Sequence, residues 1–294
     1  MSRARRRDTL FVVLASLLFS IGGLCVKLIP WSALAINGAR NLIGAAVIGC
    51  SLLLSRHRLR CNGPVLLGAL STMGTTTLFS VANKLTTAAN TIVLQYTAPV
   101  FVIALMMLLY RTRPDRRDIL TCAAVLLGVC LFFLDGIQTG NQLGNLAALL
   151  SGLCYAGVFM MNTSPQADAL SSCFLGQLAS GILFTPLCLR ETVFSAPVLL
   201  TVLILGAMQV GLAYILLSLG IRHTPAVTAS LICGLEPVLN PLWVALFYGE
   251  RVTPLALAGA VIVIVSIMIY NVRSASPQKP SAHAQHDAAD RENS

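Results

Sequence analysis

Thr97-Ala98-Pro99-Val100 and Leu235-Glu236-Pro237-Val238 stand 138 residues apart, each inside an apolar run long enough to cross a bilayer. Holding that offset without a gap from Leu67 to Arg113 gives 12 identities in 47 positions, among them Gly68/Gly206, Ser80/Ser218, Thr86/Thr224, Pro99/Pro237, Tyr110/Tyr248 and Arg113/Arg251. That excess over what a Leu-, Ala- and Val-rich chain shares with itself predicts an internal duplication. In a membrane chain, internal repeats point toward transport.

Composition places the chain in a membrane. Of its 294 residues 56% are hydrophobic and 11% charged, and the mean hydropathy is +0.80, too little polar surface for a soluble globule of this length. The net charge of +9 would suggest nucleic acid in a soluble protein. Here the basic residues cluster in short loops, where they set orientation, and no basic patch with interleaved aromatics supports nucleic-acid binding. The nine cysteines stand singly, all but Cys61 in apolar runs, with no CxxC pair or metal spacing. They read as reduced thiols packed like small hydrophobes. No cofactor motif is visible.

A hydrocarbon core of roughly 30 Å needs about 20 helical residues. On that ruler the sequence predicts an all-α membrane protein of ten spans, near residues 10–29, 32–54, 64–83, 88–110, 118–136, 143–162, 169–189, 197–220, 226–248 and 254–272. A signal peptide is excluded for the first run because the run is too long, lacks an Ala-x-Ala site and is followed by further spans. The expected organisation is a basic segment over 1–9, a first repeat over 10–137, a second over 143–272 and a polar, disordered tail over 273–294.

With the N-terminus in the cytoplasm, inner segments hold 15 of the 20 Lys and Arg residues, against Lys27, Lys84, Arg190 and Arg251 outside. Because basic residues in short loops favour the cytoplasm, both termini are expected inside a cytoplasmic membrane. Five spans per copy force the second copy to enter from the opposite face. The repeats are therefore expected to be inverted, an arrangement that permits alternating access to a site between them.

At these residues the chain resembles the EamA family of the drug/metabolite transporter superfamily. Leu235-Glu236-Pro237-Val238 and Tyr248-Gly249-Glu250-Arg251-Val252-Thr253-Pro254 are similar to that family's LEP and GE-hydrophobic-TP segments. The first repeat matches through Lys27, Arg40 and Gln95-Tyr96-Thr97-Ala98-Pro99-Val100. It departs at Ala98, which is not a carboxylate, and at Arg111-Thr112-Arg113-Pro114, which lacks the Gly-Glu pair. The resemblance implies movement of small metabolites through a cavity between two five-helix inverted repeats, with export as the favoured direction.

Charges near a bilayer centre cost about 2.5–3.5 kcal/mol each on insertion scales. Two lie deep: Arg40, about 12 Å into the second predicted span, and Glu236, about 15 Å into the ninth. The residues leave two roles open. The charges either pair with each other or with backbone carbonyls and set helix register, or they face a cavity, Glu236 carrying a proton or one or both holding a charged substrate group. Pro99 and Pro237 are expected to break their helices, and Pro237, beside Glu236, frees a backbone carbonyl one turn earlier. Helical spacing puts Ala229, Cys233, Glu236, Asn240 and Trp243 on one face, with Thr91, Gln95, Ala98, Val102 and Leu105 as counterparts. That polar/apolar asymmetry suits an amphipathic substrate, and lipid exposure of the apolar set is the plain alternative. Tyr96, Tyr155, Gln209 and Tyr214 add large polar groups at membrane depth, serving a ligand or a neighbouring helix. The stripes Gly68, Thr72, Thr76, Ser80 and Ser16, Ser20, Gly23, Lys27 read as packing seams more readily than ligand walls.

Enzyme motifs are missing: His57, His223, His283 and His286 form no HExxH, and no nucleophile elbow, Walker loop or EF-hand occurs. The sequence therefore predicts a secondary transporter for a small organic metabolite such as an amino acid, with Arg40, Gln95, Tyr96, Tyr155, Gln209, Tyr214, Glu236, Asn240 and Trp243 at the site. Its expected partners are that substrate and membrane lipid. A homodimer is left open. The rival readings are a flippase for lipid or lipid-linked sugar, and a membrane-embedded sensor or enzyme.

Overall fold

The computed structural model describes residues 3–86, 88–133, 141–239 and 253–275. Asn240, Trp243 and the stretch from Tyr248 to Val252 lie outside them, as does the chain beyond Ala275. Every regular element among the described residues is helical. In chain order they are α1 (Arg3–Ser20), α2 (Gly22–Leu28), α3 (Ala33–Leu54), α4 (Gly63–Leu85), α5 (Ala88–Gln95), α6 (Ala98–Tyr110), α7 (Arg116–Phe133), α8 (Gln142–Phe159) and α9 (Ala169–Phe184). There follow α10 (Ala196–Ile204), α11 (Ala213–Gly220), α12 (Ala226–Ile232) and α13 (Pro254–Ala275).

Helical starts are set locally. Ser32, Asn62, Asn141 and Asp168 each cap a helix, their side-chain oxygens accepting from the amides of Ala35, Val65, Leu143 and Ser171. The predicted fourth span is split into α5 and α6 by a turn at Tyr96–Thr97, just ahead of Pro99. In the ninth, helix resumes over 235–239 after a turn at Cys233–Gly234. The first span breaks at Ile21, and its helix begins within the basic segment at Arg3. A tight 3₁₀ turn, Thr185–Arg190, closes the seventh, and an eight-residue π segment, Leu205–Leu212, joins α10 to α11.

Among the described residues six segments are long and apolar enough to cross a membrane: Ala33–Leu54, Gly63–Asn83, Thr91–Tyr110, Gln142–Phe159, Ala169–Arg190 and Ala196–Gly220. The remaining four predicted spans fall short by this measure for visible reasons. Arginines open α1 and α7, and the apolar helical stretches 226–239 and 257–270 are short within the described residues. The chain is a multi-pass membrane protein.

Packing centres on α3, which lies against α9 and the π segment, while α4 lies against α8 and α9. The neighbours repeat: α4 on α8 is matched by α11 on α1, and α7 pairs with α13. Close approach along α3 depends on small residues. A Cβ at Gly38 would sit 2.4 Å from the Phe184 carbonyl carbon, and one at Gly44 would sit 2.3 Å from Val210 Cγ1. The threonine stripe of α4 behaves as a seam. Thr72, Thr76 and Ser80 donate to the carbonyls of Gly68, Thr72 and Thr76, and Gly68 faces Ser172 of α9. Ser16 and Ser20 are likewise buried.

Candidate functional site

A narrow cavity of about 50 Å3 lies at the centre of the bundle. Both deep charges line it, Arg40 from α3 and Glu236 from the ninth span, together with Gln95, Tyr155, Gln209 and Tyr214. Six residues distant in the sequence thus meet in one place. Phe19 and Phe79 supply aromatic wall, with Phe19 edge-on to Tyr214 at 5.1 Å between ring centres.

Arg40 and Glu236 do not form an ion pair. Arg40 is 6% exposed, and one of its terminal nitrogens donates to Asn37 Oδ1 at 3.1 Å, while its Nε finds no partner. Asn37 belongs to a buried amide network. Its own Nδ2 donates to Ser180 Oγ at 3.1 Å, and Asn41 Nδ2 lies within 3.2 Å of Asn37 Oδ1, Thr76 Oγ1 and Ser180 Oγ. The network joins α3 to α4 and α9, and so fixes the guanidinium beside the cavity. Asn37, Asn41 and Ser180 were not among the expected site residues.

On the other wall, Tyr96 Oη donates to Glu236 Oε2 at 2.8 Å and lies 2.5 Å from the Cys233 carbonyl, while Tyr155 Oη makes a long contact of 3.4 Å to the same carboxyl oxygen. Cys233 O is the acceptor that a residue at position 237 would ordinarily serve, and proline has no N–H to give. It is occupied instead by Glu236 N at 3.0 Å and by Tyr96. A phenol carries one proton. Both Tyr96 contacts are served together only when Glu236 brings the second proton, donating to Tyr96 Oη while Tyr96 donates to Cys233 O. With Glu236 ionised, the hydroxyl must turn to the carboxylate and leave the carbonyl to Glu236 N.

Of the other expected residues, Gln95 and Gln209 line the same cavity, Tyr96 touches Glu236 without lining it, and Asn240 and Trp243 lie outside the described residues. Gln95 Nε2 donates to Ser151 Oγ at 2.9 Å. Gln209 sits on the π segment and its Oε1 has no protein partner. Extended π stretches are rare and concentrate at functional sites. Thr91, Ala98 and Val102 are buried, so the apolar face of the fourth span packs inside the protein and is not turned to lipid at these positions. Gln177 is fully buried with both amide atoms unpartnered.

At the arginine-rich end of the bundle, side chains cross between the two halves. His57 Nε2 meets Asp168 Oδ2 at 2.8 Å, His223 Nδ1 meets Asp8 Oδ2 at 2.6 Å, and Tyr270 Oη donates to Asp118 Oδ1 at 2.7 Å. Burial works against the ionised form of Asp168, but hydrogen bonds from Ser171 and His57 outweigh it and hold the carboxyl below its ordinary range. At the opposite end Glu191 Oε1 accepts from both the amide and the hydroxyl of Ser32, beside a pocket of about 440 Å3 bordered by Ser80, Leu187 and Arg190. All nine cysteines are free, and no group of three or more His, Cys, Asp and Glu able to hold a metal occurs among the described residues.

The model of the EamA-like transporter family matches residues 8–134 and again 142–272. The chain belongs to the EamA-like transporter family. Its two matched stretches are the two copies of the drug/metabolite transporter domain, and EamA-like proteins are transporters, not enzymes. Among the solved structures that share the fold is a crystal structure with a TM-score of 0.80 at 17% identity over 93% of this chain and 100% of that one. No curated protein matches the sequence. For an EamA-like chain, the central cavity lies where two repeats meet, since Arg40 and Gln95 come from the first matched stretch and Tyr155, Gln209, Tyr214 and Glu236 from the second.

Proposed function

We propose that the protein is a ten-span secondary transporter that moves a small amphipathic or zwitterionic metabolite, amino acids included, by alternating access between two inverted repeats. The observation that carries this reading is the central cavity. A cation and a carboxyl group from different repeats face it without neutralising each other, flanked by amides and aromatic rings. Arg40 is placed to take a carboxylate. Glu236 is placed to take an ammonium group or a proton, and the phenyl and phenol rings suit an apolar body. The repeated neighbour pattern supports inverted repeats, because α4 on α8 and α11 on α1 exchange under the swap of halves. The arginine-rich end is then cytoplasmic, together with both termini, in the cytoplasmic membrane. Export is favoured, and coupling to protons runs through Glu236 with Tyr96 as its gatekeeper.

The test compares metabolites inside and outside cells that lack the protein, overproduce it, or overproduce Arg40→Gln or Glu236→Gln. Overproduction should shift one chemical class outward, and Arg40→Gln should abolish the shift. Transport of that compound in vesicles with and without a proton gradient then separates the roles of Glu236. Gradient dependence should vanish in Glu236→Gln. An unchanged metabolite profile on overproduction refutes the transport reading, and gradient dependence that survives in Glu236→Gln removes Glu236 from coupling.

A further inference from the structure

Away from the central cavity, a groove of about 750 Å3 runs along the bundle surface between α3 and the 203–215 stretch. Ile43, Val47, Leu54, Leu203 and Ile215 line it. From Ile43 to Ser55 the helix rises about 18 Å at 1.5 Å per residue, a little more than half of a hydrocarbon core of roughly 30 Å. The groove is therefore one leaflet long. Two of its lining residues, Ile43 and Val47, pack against Gly206 and Gly211 of the π segment.

One end of the groove is polar. Ser51 and Ser55 border it, and the chain then turns through Arg56, Arg58 and Arg60, all exposed. The turn is fixed. Arg56 adopts the left-handed region at φ 49°, Arg56 N donates to Leu53 O at 3.1 Å, His57 N donates to Leu52 O at 2.9 Å, and Ser55 Oγ donates to Ser51 O at 2.6 Å. None of the three arginines forms an ion pair among the described residues, and the nearby carboxylate Asp168 is engaged by His57 and Ser171. An apolar groove about one leaflet long is thus followed, directly after Ser55, its last lining residue on the α3 side, by three exposed arginines that form no ion pair among the described residues.

We propose that this groove binds one anionic phospholipid, an acyl chain lying along α3 and the phosphate resting on the Arg56–Arg60 turn. A neutral lipid fills the channel equally well but leaves the cations unmatched, so charge selects the occupant. The site borders the transport machinery without belonging to it. The π segment presents Ala207 to the groove and Gln209 and Val210 to the central cavity, so one helical wall separates the two.

Native mass spectrometry of the full chain in detergent tests this, with dioleoyl-phosphatidylglycerol and dioleoyl-phosphatidylcholine added at equal concentration. One phosphatidylglycerol should be retained in preference to phosphatidylcholine on the order of tenfold. The combined Arg56→Gln, Arg58→Gln, Arg60→Gln variant should fall to the phosphatidylcholine level. Cys50→Trp, at an exposed position lining the groove, should lower retention of both lipids, whereas Leu108→Trp, 76% exposed elsewhere on the surface, should change neither. On the unaltered chain, phosphatidylglycerol but not phosphatidylcholine should protect Cys50 from a maleimide. Equal retention of the two lipids, retention insensitive to the arginine changes, or phosphatidylglycerol binding that neither Cys50→Trp lowers nor Cys50 protection reports would each overturn the proposal.

Discussion

Replacing Tyr96 with phenylalanine removes a single oxygen from a residue only 2% exposed, and its cost follows from the two contacts that oxygen makes. The Cys233 carbonyl, already denied a partner by Pro237, would keep only Glu236 N at 3.0 Å, and Glu236 Oε2 would keep only the 3.4 Å contact from Tyr155. Leaving a buried acceptor short of its donor costs about 1–3 kcal/mol. Tyr155→Phe gives up a contact longer than the ordinary O–H···O range of about 2.5–3.0 Å, so its cost should stay near or below about 0.5 kcal/mol. Equilibrium unfolding in mixed micelles measures both. Combining Tyr96→Phe with Glu236→Ala should be non-additive by about 1–2 kcal/mol, as expected for residues sharing one network. Equal costs for the two tyrosines, or additivity within about 0.5 kcal/mol, would refute the claim that Tyr96 mediates between the carboxyl group and the freed carbonyl.

Asp168 caps α9 and meets His57, so Asp168→Ala should cost about 1–2 kcal/mol in the same unfolding measurement. Because its folded carboxyl lies below the unfolded value of about 3.9, its contribution is complete above that pH and is lost as pH falls through the folded value. The melting temperature should therefore drop below about pH 4 less steeply in Asp168→Asn than in the native chain. Gly38→Ala forces a methyl group to within 2.4 Å of the Phe184 and Thr185 backbone and should lower stability by about 1–3 kcal/mol, whereas Gly49→Ala meets only the Phe174 ring edge at 3.1 Å and should stay within about 0.5 kcal/mol. Asn37→Ala removes the acceptor that holds Arg40, and efflux of the metabolite that responds to overproduction should fall about tenfold with expression intact. Unchanged efflux would show that Arg40 needs no such support.

Arg40 and Glu236 were legible in the sequence because an ionised group in an apolar run is costly and stands out. Pro99 and Pro237 likewise announced where two spans break, and Pro237 pointed to a freed carbonyl. That Tyr96, 140 residues from Glu236, would fill that vacancy is a matter of packing that no local pattern carries. Asn37 and Asn41 are harder to read, because neutral amides weigh little in a hydropathy profile. Their placement three residues before Arg40 and one after it, on an otherwise apolar helix, was the available signal. Phe19 and Phe79 look like any other core phenylalanine. The π segment has no sequence signature of its own, and it lies where α3 approaches closely at Gly44 and Gly206. Whether Arg40 and Glu236 pair was a question of distance, and Asn37 settles it by claiming the guanidinium.

The cavity's small size has a consequence for how the molecule meets its solvent. About 50 Å3 is far below the roughly 300 Å3 at which ligand pockets begin, so under the proposed mechanism the walls part and the site hydrates when a guest enters. Each opening then draws in several molecules from the surrounding liquid, which makes water activity itself a variable of the exchange. Solutes too bulky to follow that water inside would exert osmotic stress against opening and hold the protein in its narrow form.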